Sequence, residues 1–406
     1  MSLLLKNVRL ETGYQFENEE VIRTNTELMD ILMEDGVFKK IEKQIEPSEN
    51  VTVLDAKGRL LLPSLKDMHI HLDKTYYSGP WKAPTIAKKG IWTRIEEEQQ
   101  LLPKQLPVMV DRAQAIIELL ISNGHTHIRT HCNVDPLIGT KHVELVLELL
   151  ENYRDKITYE LVAFPQHGLL HSQVEQQLQQ ALQMGATHIG GLDPATVDQD
   201  INRSLETMVR LAHEADKGID IHLHDGGTLG EYEIHRLMDY LEHYQFKNEV
   251  TISHAFALAD ISTASLEKLM ERMKKHQINI ATTVPFGQNR PTIPVFHLTN
   301  SGIGVAVGHD SLTDHWSPFG SGDTVDKLKI LAERFYCSDE RRLGQCWKFG
   351  SGNITPLNEQ GLQQWPKIGD EANAVLVEAV CSAQVIARNR PIEYVLFRGN
   401  VTFEKQ

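Results

Sequence analysis

Of the 19 histidines in this 406-residue chain, the ones able to share a chemical task stand at the ends of short apolar runs. His69-Ile70-His71 sets two imidazoles two residues apart. In an extended strand such residues point to one side, so both can approach one ion at about 2.0–2.1 Å. Asp73 and Lys74 follow at once, and the lysine puts an ammonium group just beyond the pair, where it could hold an anionic or carbonyl part of a substrate. Asp220-Ile221-His222-Leu223-His224-Asp225 repeats the spacing and adds a carboxylate. One of these two histidines suffices as a ligand. The other, with Asp225, is then placed to move protons beside a water activated by the ion, although Asp225 could equally accept a hydrogen bond that orients an imidazole. His254, closing Thr251-Ile252-Ser253-His254, can bind the ion or orient its water. Asp310, in Gly308-His309-Asp310-Ser311, would complete a shell of three nitrogens and one oxygen and could also take a proton from the water. In isolation Asp310 reads as well as a helix cap. One divalent ion is expected, zinc first, with iron(II) or manganese also compatible.

Ligands for one ion must converge, so the elements that carry them must share a face. Eight strand candidates lie at 67–71, 127–131, 160–164, 188–191, 220–224, 250–254, 278–282 and 304–308. Helical periodicity fills most gaps between them, for example 110–122 and 205–216, the rhythm of βα units and a parallel sheet. Eight units imply an α/β chain closed into a (β/α)₈ barrel, whose strands end on one face where these side chains meet. Residues 1–60 read instead as short strands, with a hairpin around Glu34-Asp35-Gly36. Strand signals return at 374–378, 394–397 and 401–403. The expected organisation is a small β-sandwich from both ends, 1–60 and 356–406, flanking a hydrolase barrel at 61–355. Residues 75–107, with Pro80, Pro84, Gly90, Pro103 and the run Glu96-Glu97-Glu98, read as one long loop, either a lid or a surface insertion.

A net charge of −14 excludes a phosphate backbone as partner and leaves small molecules. The four cysteines (Cys132, Cys337, Cys346, Cys381) form no Cys-x-x-Cys pair, which suits reduced thiols. No apolar run nears the ~18 residues of a membrane helix, and the N-terminus reads as a strand and not a leader. A cytoplasmic protein that binds neither membrane nor nucleic acid is expected, and a homo-oligomer is compatible.

Together these residues resemble the amidohydrolase superfamily, and within it the cytosine deaminase branch, which includes N-isopropylammelide amidohydrolase. The resemblance runs through Leu62-Pro63-Ser64-Leu65-Lys66-Asp67-Met68-His69-Ile70-His71-Leu72-Asp73-Lys74, His127-Ile128-Arg129-Thr130-His131, Val162-Ala163-Phe164-Pro165-Gln166, Ile221-His222-Leu223-His224, Ser253-His254 and Gly308-His309-Asp310. It implies one zinc or iron held by His69, His71, His222 and Asp310, with His254 at the bound water. It also implies a pocket for a small heterocycle that includes Lys74, Gln166, Ser311 and Trp316. Two positions depart from cytosine deaminases, which carry Asp-Glu where His224-Asp225 stands and a second Asp at Ser311. Lys74 with His224 is closer to the triazine branch. Gly190-Gly191-Leu192-Asp193-Pro194 offers no lysine for a bridged two-metal site. The expected reaction is hydrolytic deamination of a pyrimidine- or triazine-like ring, with Asp225, His224 or His254 supplying protons. Hydrolysis of a cyclic amide or N-acyl compound is the alternative reaction, and a non-catalytic metal-binding paralogue is a third reading.

Overall fold

The computed structural model describes residues 2–287 and 291–406. The chain begins with β1 (Ser2–Glu17), β2 (Glu20–Glu34), β3 (Val37–Glu42), β4 (Thr52–Asp55) and β5 (Leu60–Pro63). Asp35 and Gly36 both adopt positive φ, 52° and 81°, the geometry that lets a two-residue turn join twisted strands. Then come β6 (Leu65–Ile70), β7 (His125–Asn133), β8 (Thr158–Phe164), β9 (His188–Leu192), β10 (Gly218–Leu223), β11 (Val250–His254), β12 (Asn279–Thr282) and β13 (Val305–Val307). The chain ends with β14 (Ala374–Val377), β15 (Ile392–Phe397) and β16 (Asn400–Glu404).

Strands β6 to β13 pair in chain order as one parallel eight-stranded sheet. Every residue of β10 and β11 is buried, as expected where helices cover one face of a parallel sheet and side chains fill the other. The last strand returns to the first: Ile70 bridges Asp310, and the Asp310 N–H donates to the His69 carbonyl at 2.6 Å. Only glycine fits this seam at position 308, because a Cβ there would lie 2.7 Å from the His69 nitrogen and 2.8 Å from its oxygen. The strands of both chain ends form a second sheet, ordered β16-β15-β14-β5-β1-β2-β3 with β4 alongside β1. It is one mixed sheet with its own core, including Val8, Ile31, Phe38, Leu61, Trp365, Leu376 and Leu396. Among the described residues no helix is long and apolar enough to cross a membrane.

The stretch read from sequence as a loop over 75–107 is irregular only as far as Gly90. From there α1 (Ile91–Ser122) runs unbroken through Pro103 and Pro107. Both prolines lie on its exposed face, where the carbonyls they leave without partners can meet water. Ile95, Leu102 and Met109 form the buried stripe.

Candidate metal centre

The ends of β6, β10, β11 and β13 bring five of the expected residues together. His71 Nε2 lies 3.2 Å, and His69 Nε2 3.5 Å, from Asp310 Oδ1. His254 Nε2 stands 3.9 Å from Asp310 Oδ2. His69, His222, His254 and Asp310 can each offer one ligand atom, with all four atoms within 4.8 Å of one another. His254 and Asp310 adopt left-handed backbone, φ 71° and 61°, an uncommon conformation for such residues that concentrates at functional sites. Of the two histidines on the fifth barrel strand, His222 faces this cluster, its ring 4.5 Å from that of His69. His224 lies past the strand end. Its Nδ1 is 2.9 Å from Asp193 Oδ2, and its ring stacks on His254 at 4.4 Å.

Hydrogen bonds set which imidazole nitrogen faces inward. Ser253 donates its hydroxyl to Asp220 at 2.6 Å and pairs with His69 Nδ1 at 2.7 Å, so its oxygen accepts the Nδ1 proton and the Nε2 lone pair faces Asp310. His71 Nδ1 donates to the His131 carbonyl at 3.1 Å with the same result. Burial, then the neighbouring histidines, pushes His222 well below the usual imidazole range, and burial with Lys74 lowers His71. Neutral imidazole is the form that binds a metal. Burial disfavours the Asp310 charge, but the surrounding imidazoles of His69, His71 and His254 hold its pKa well below the usual value. Both ring nitrogens of His222 are buried with no protein hydrogen-bond partner, as is His69 Nε2. Orphaned buried polar atoms of this kind are costly unless something binds them. The donor set therefore fits a divalent ion. Asp67 fastens the two strands that supply it: Oδ1 accepts the N–H groups of His69 and His309 at 3.1 and 3.2 Å, and Oδ2 pairs with His309 Nδ1 at 2.7 Å.

Above the cluster opens a cavity of about 550 Å³, lined by His71, His222 and Asp310 and, of the other expected site residues, by Lys74, Gln166, His224, Asp225, Ser311 and Trp316 but not His254. Lys74 is not a free cation. Its ammonium donates to Gln166 Oε1 at 2.5 Å and lies 3.4 Å from Glu98 Oε1. Glu98, fully buried on α1, also accepts from Asn133 Nδ2 (2.9 Å) and Trp316 Nε1 (2.8 Å), and pairs with His167 (3.0 Å) and His315 (2.8 Å). Burial opposes its charge, yet Lys74 first and then the histidines hold it well below the ordinary carboxylate range.

On the opposite wall Asp225 accepts from the Thr196 hydroxyl at 2.5 Å, and burial followed by the charge of Asp193 raises its pKa. Glu233, buried beside it, is pushed up to about 8 by burial and by Asp225. Sequence reasoning missed Glu98 and Glu233. The signal for Glu98 was its helical register with Ile95 and Leu102; Glu233 had none.

Residues 52–403 match the amidohydrolase family. The chain is 40% identical over 402 residues, 98% of this chain and 87% of the relative, to the uncharacterized protein YahJ of Escherichia coli K12. It is 34% identical over 313 residues, 76% of this chain and 77% of the relative, to N-isopropylammelide isopropyl amidohydrolase of Pseudomonas sp. strain ADP. The crystal structure of N-isopropylammelide isopropylaminohydrolase from Burkholderia multivorans superposes with a TM-score of 0.87 at 26% identity, covering 99% of this chain and 98% of that one. The barrel, its histidine-rich centre and the family match agree: the chain belongs to the amidohydrolase family, enzymes that hydrolyse carbon–nitrogen bonds.

Proposed function

We propose that this enzyme uses one divalent ion, zinc first among the candidates, to release ammonia or an amine from a nitrogen heterocycle of pyrimidine or triazine type. His69, His71, His222 and Asp310 would hold the ion. The observation that carries the reading is His222, whose buried, unpartnered ring nitrogens lie beside His69 and Asp310 at the floor of the cavity. A bound ion would polarise the ring and bring the pKa of a water toward neutrality. The protein's own groups account for the rest. Lys74 occupies Gln166 Oε1, which leaves the Gln166 amide N–H groups to meet a ring oxygen or nitrogen. Asp310 is placed to accept the proton of the attacking water. Asp225, whose pKa is raised by burial and then by Asp193, would pass a proton to the departing nitrogen, while His224 and His254 stack beside the same space. The relatives named for N-isopropylammelide hydrolysis favour a ring with an exocyclic amine.

The test is a screen of pyrimidines, triazines, pterins and cyclic ureas with protein purified without chelator, reading ammonia and amine release beside metal content. About one ion per chain and chelator-sensitive release are expected. Full activity in metal-free protein would end the proposal, and carboxylate products without ammonia would move the reaction to amide hydrolysis.

A further inference from the structure

The cavity holds a second lysine that the reaction above leaves unused. Lys327, on the helix Thr324–Arg334 after β13, lines it together with Thr283, His309, Ser311 and Phe319. Its ammonium donates to the Thr283 carbonyl at 3.3 Å, and among the described residues no carboxylate lies within 4.0 Å of it. The other cations of the cavity differ. Arg94 is paired with Glu97 at 2.6 Å, and Lys74 is bound to Glu98 and Gln166. Burial draws the Lys327 amine below its ordinary range against the fields of Asp310, Asp67 and Asp326, so the group is desolvated without a counter-ion. Such a charge is costly, and an anion brought to it relieves the cost. Ser311 lines the same part of the cavity. Asp193 and Asp225 also line the cavity.

We infer that Lys327, with Ser311 beside it, forms an anion subsite, and that the substrate carries a carboxylate or similar oxyanion on its ring or on the departing amine. This rests on the reading of the cavity as a heterocycle site. A neutral ring would fill the space above the metal cluster and leave Lys327 desolvated and unpaired. A ring bearing a carboxylate brings the missing counter-charge, and the charge-assisted bond makes the discrimination large.

Calorimetric titration of the zinc-loaded protein with uracil, 5-carboxyuracil and 6-carboxyuracil tests the assignment. At least one carboxylate should bind ~10-fold or more tightly than uracil, and Lys327→Met should abolish the preference at unchanged zinc content. Lys327→Arg should keep it, and Lys327→Gln replaces the Met variant if that fails to fold. Equal binding of all three probes overturns the subsite. So does a preference that survives Lys327→Met, because the carboxylate would then be reading the metal and not the lysine. The screen with neutral heterocycles reports separately on the reaction. Ammonia release without carboxylate preference removes the subsite alone, and carboxylate preference without hydrolysis of any ring removes the reaction alone.

Discussion

Replacing Glu98 should damage this protein more than replacing any surface acid of the same helix. Its carboxylate accepts from Asn133 and Trp316, pairs with His167 and His315, and provides the counter-charge of Lys74, all with zero exposure of its own. Lys74 is itself only 2% exposed, so Glu98→Ala leaves a buried ammonium without its acid. Removing one partner of a buried pair costs about 3–5 kcal/mol. Glu98→Gln keeps the shape but turns charge-assisted bonds into neutral ones, a difference of about 1–3 kcal/mol. Equilibrium urea unfolding, followed by tryptophan fluorescence and circular dichroism together, should rank wild type above Gln and Gln above Ala. The exposed neighbour Glu96→Ala should stay within about 0.5 kcal/mol of wild type. Because Glu98 fixes both Lys74 and Trp316, the Gln variant should also raise KM more than it lowers kcat, with metal content unchanged. A Glu98→Ala protein within about 1 kcal/mol of wild type would show that the network is not what holds the first turns of α1 on the barrel.

Three further outcomes follow from the geometry. Asp225→Ala should lower kcat by ~10² or more with the metal retained; an unchanged rate would hand the proton transfer to His224 or His254. Gly308→Ala pushes a methyl group against the His69 backbone, so metal affinity measured by competition with a chelator should fall by ~10-fold or more, and wild-type affinity would show that the seam has slack. Glu11 is buried and its carboxyl pushed up to about 7 by that burial. The native state thus prefers the protonated acid, a preference that stabilises below the unfolded carboxylate pKa and is lost as pH rises through about 7. Glu11→Gln should be close to wild type at pH 5 and more stable by about 1–3 kcal/mol at pH 8; a difference that does not change between the two pH values would refute this.

The convergence of the histidines and Asp310 was legible because barrel strands end on one face. His69, His71, His222, His254 and Asp310 each close a run of apolar residues, and reading strand ends was enough to bring them together. Period two could not separate His222 from His224, since both would point one way along a strand. What separates them is the end of β10 at Leu223, after which Asp193 captures His224. Glu98 was hidden in plain charge: within Glu96-Glu97-Glu98 only a helical register distinguishes the inward member, and Pro103 and Pro107 disguised the helix that sets that register. Glu233 lies in the middle of the helix Gly227–His243, where a glutamate reads as solvated. The terminal strands were readable one by one. Their merger into a single sheet depends on the pairing of β5 with β14, which no local pattern announces.

That pairing also bears on how the chain must be made. Leu60–Pro63 pairs along its length with Ala374–Val377, whereas its ladder with β1 has the single register pair Leu60 and Arg9. During synthesis the N-terminal strands leave the ribosome first, yet β5 lacks its β14 neighbour until the whole barrel has been translated. Leu60, Leu61 and Leu62, all buried in the finished protein, then stand on an open edge of the kind that recruits other chains. The barrel is thus the span the nascent chain must cross before its beginning can be sealed by its end, and crowding of unfinished chains on one message is the hazard built into joining the termini this way.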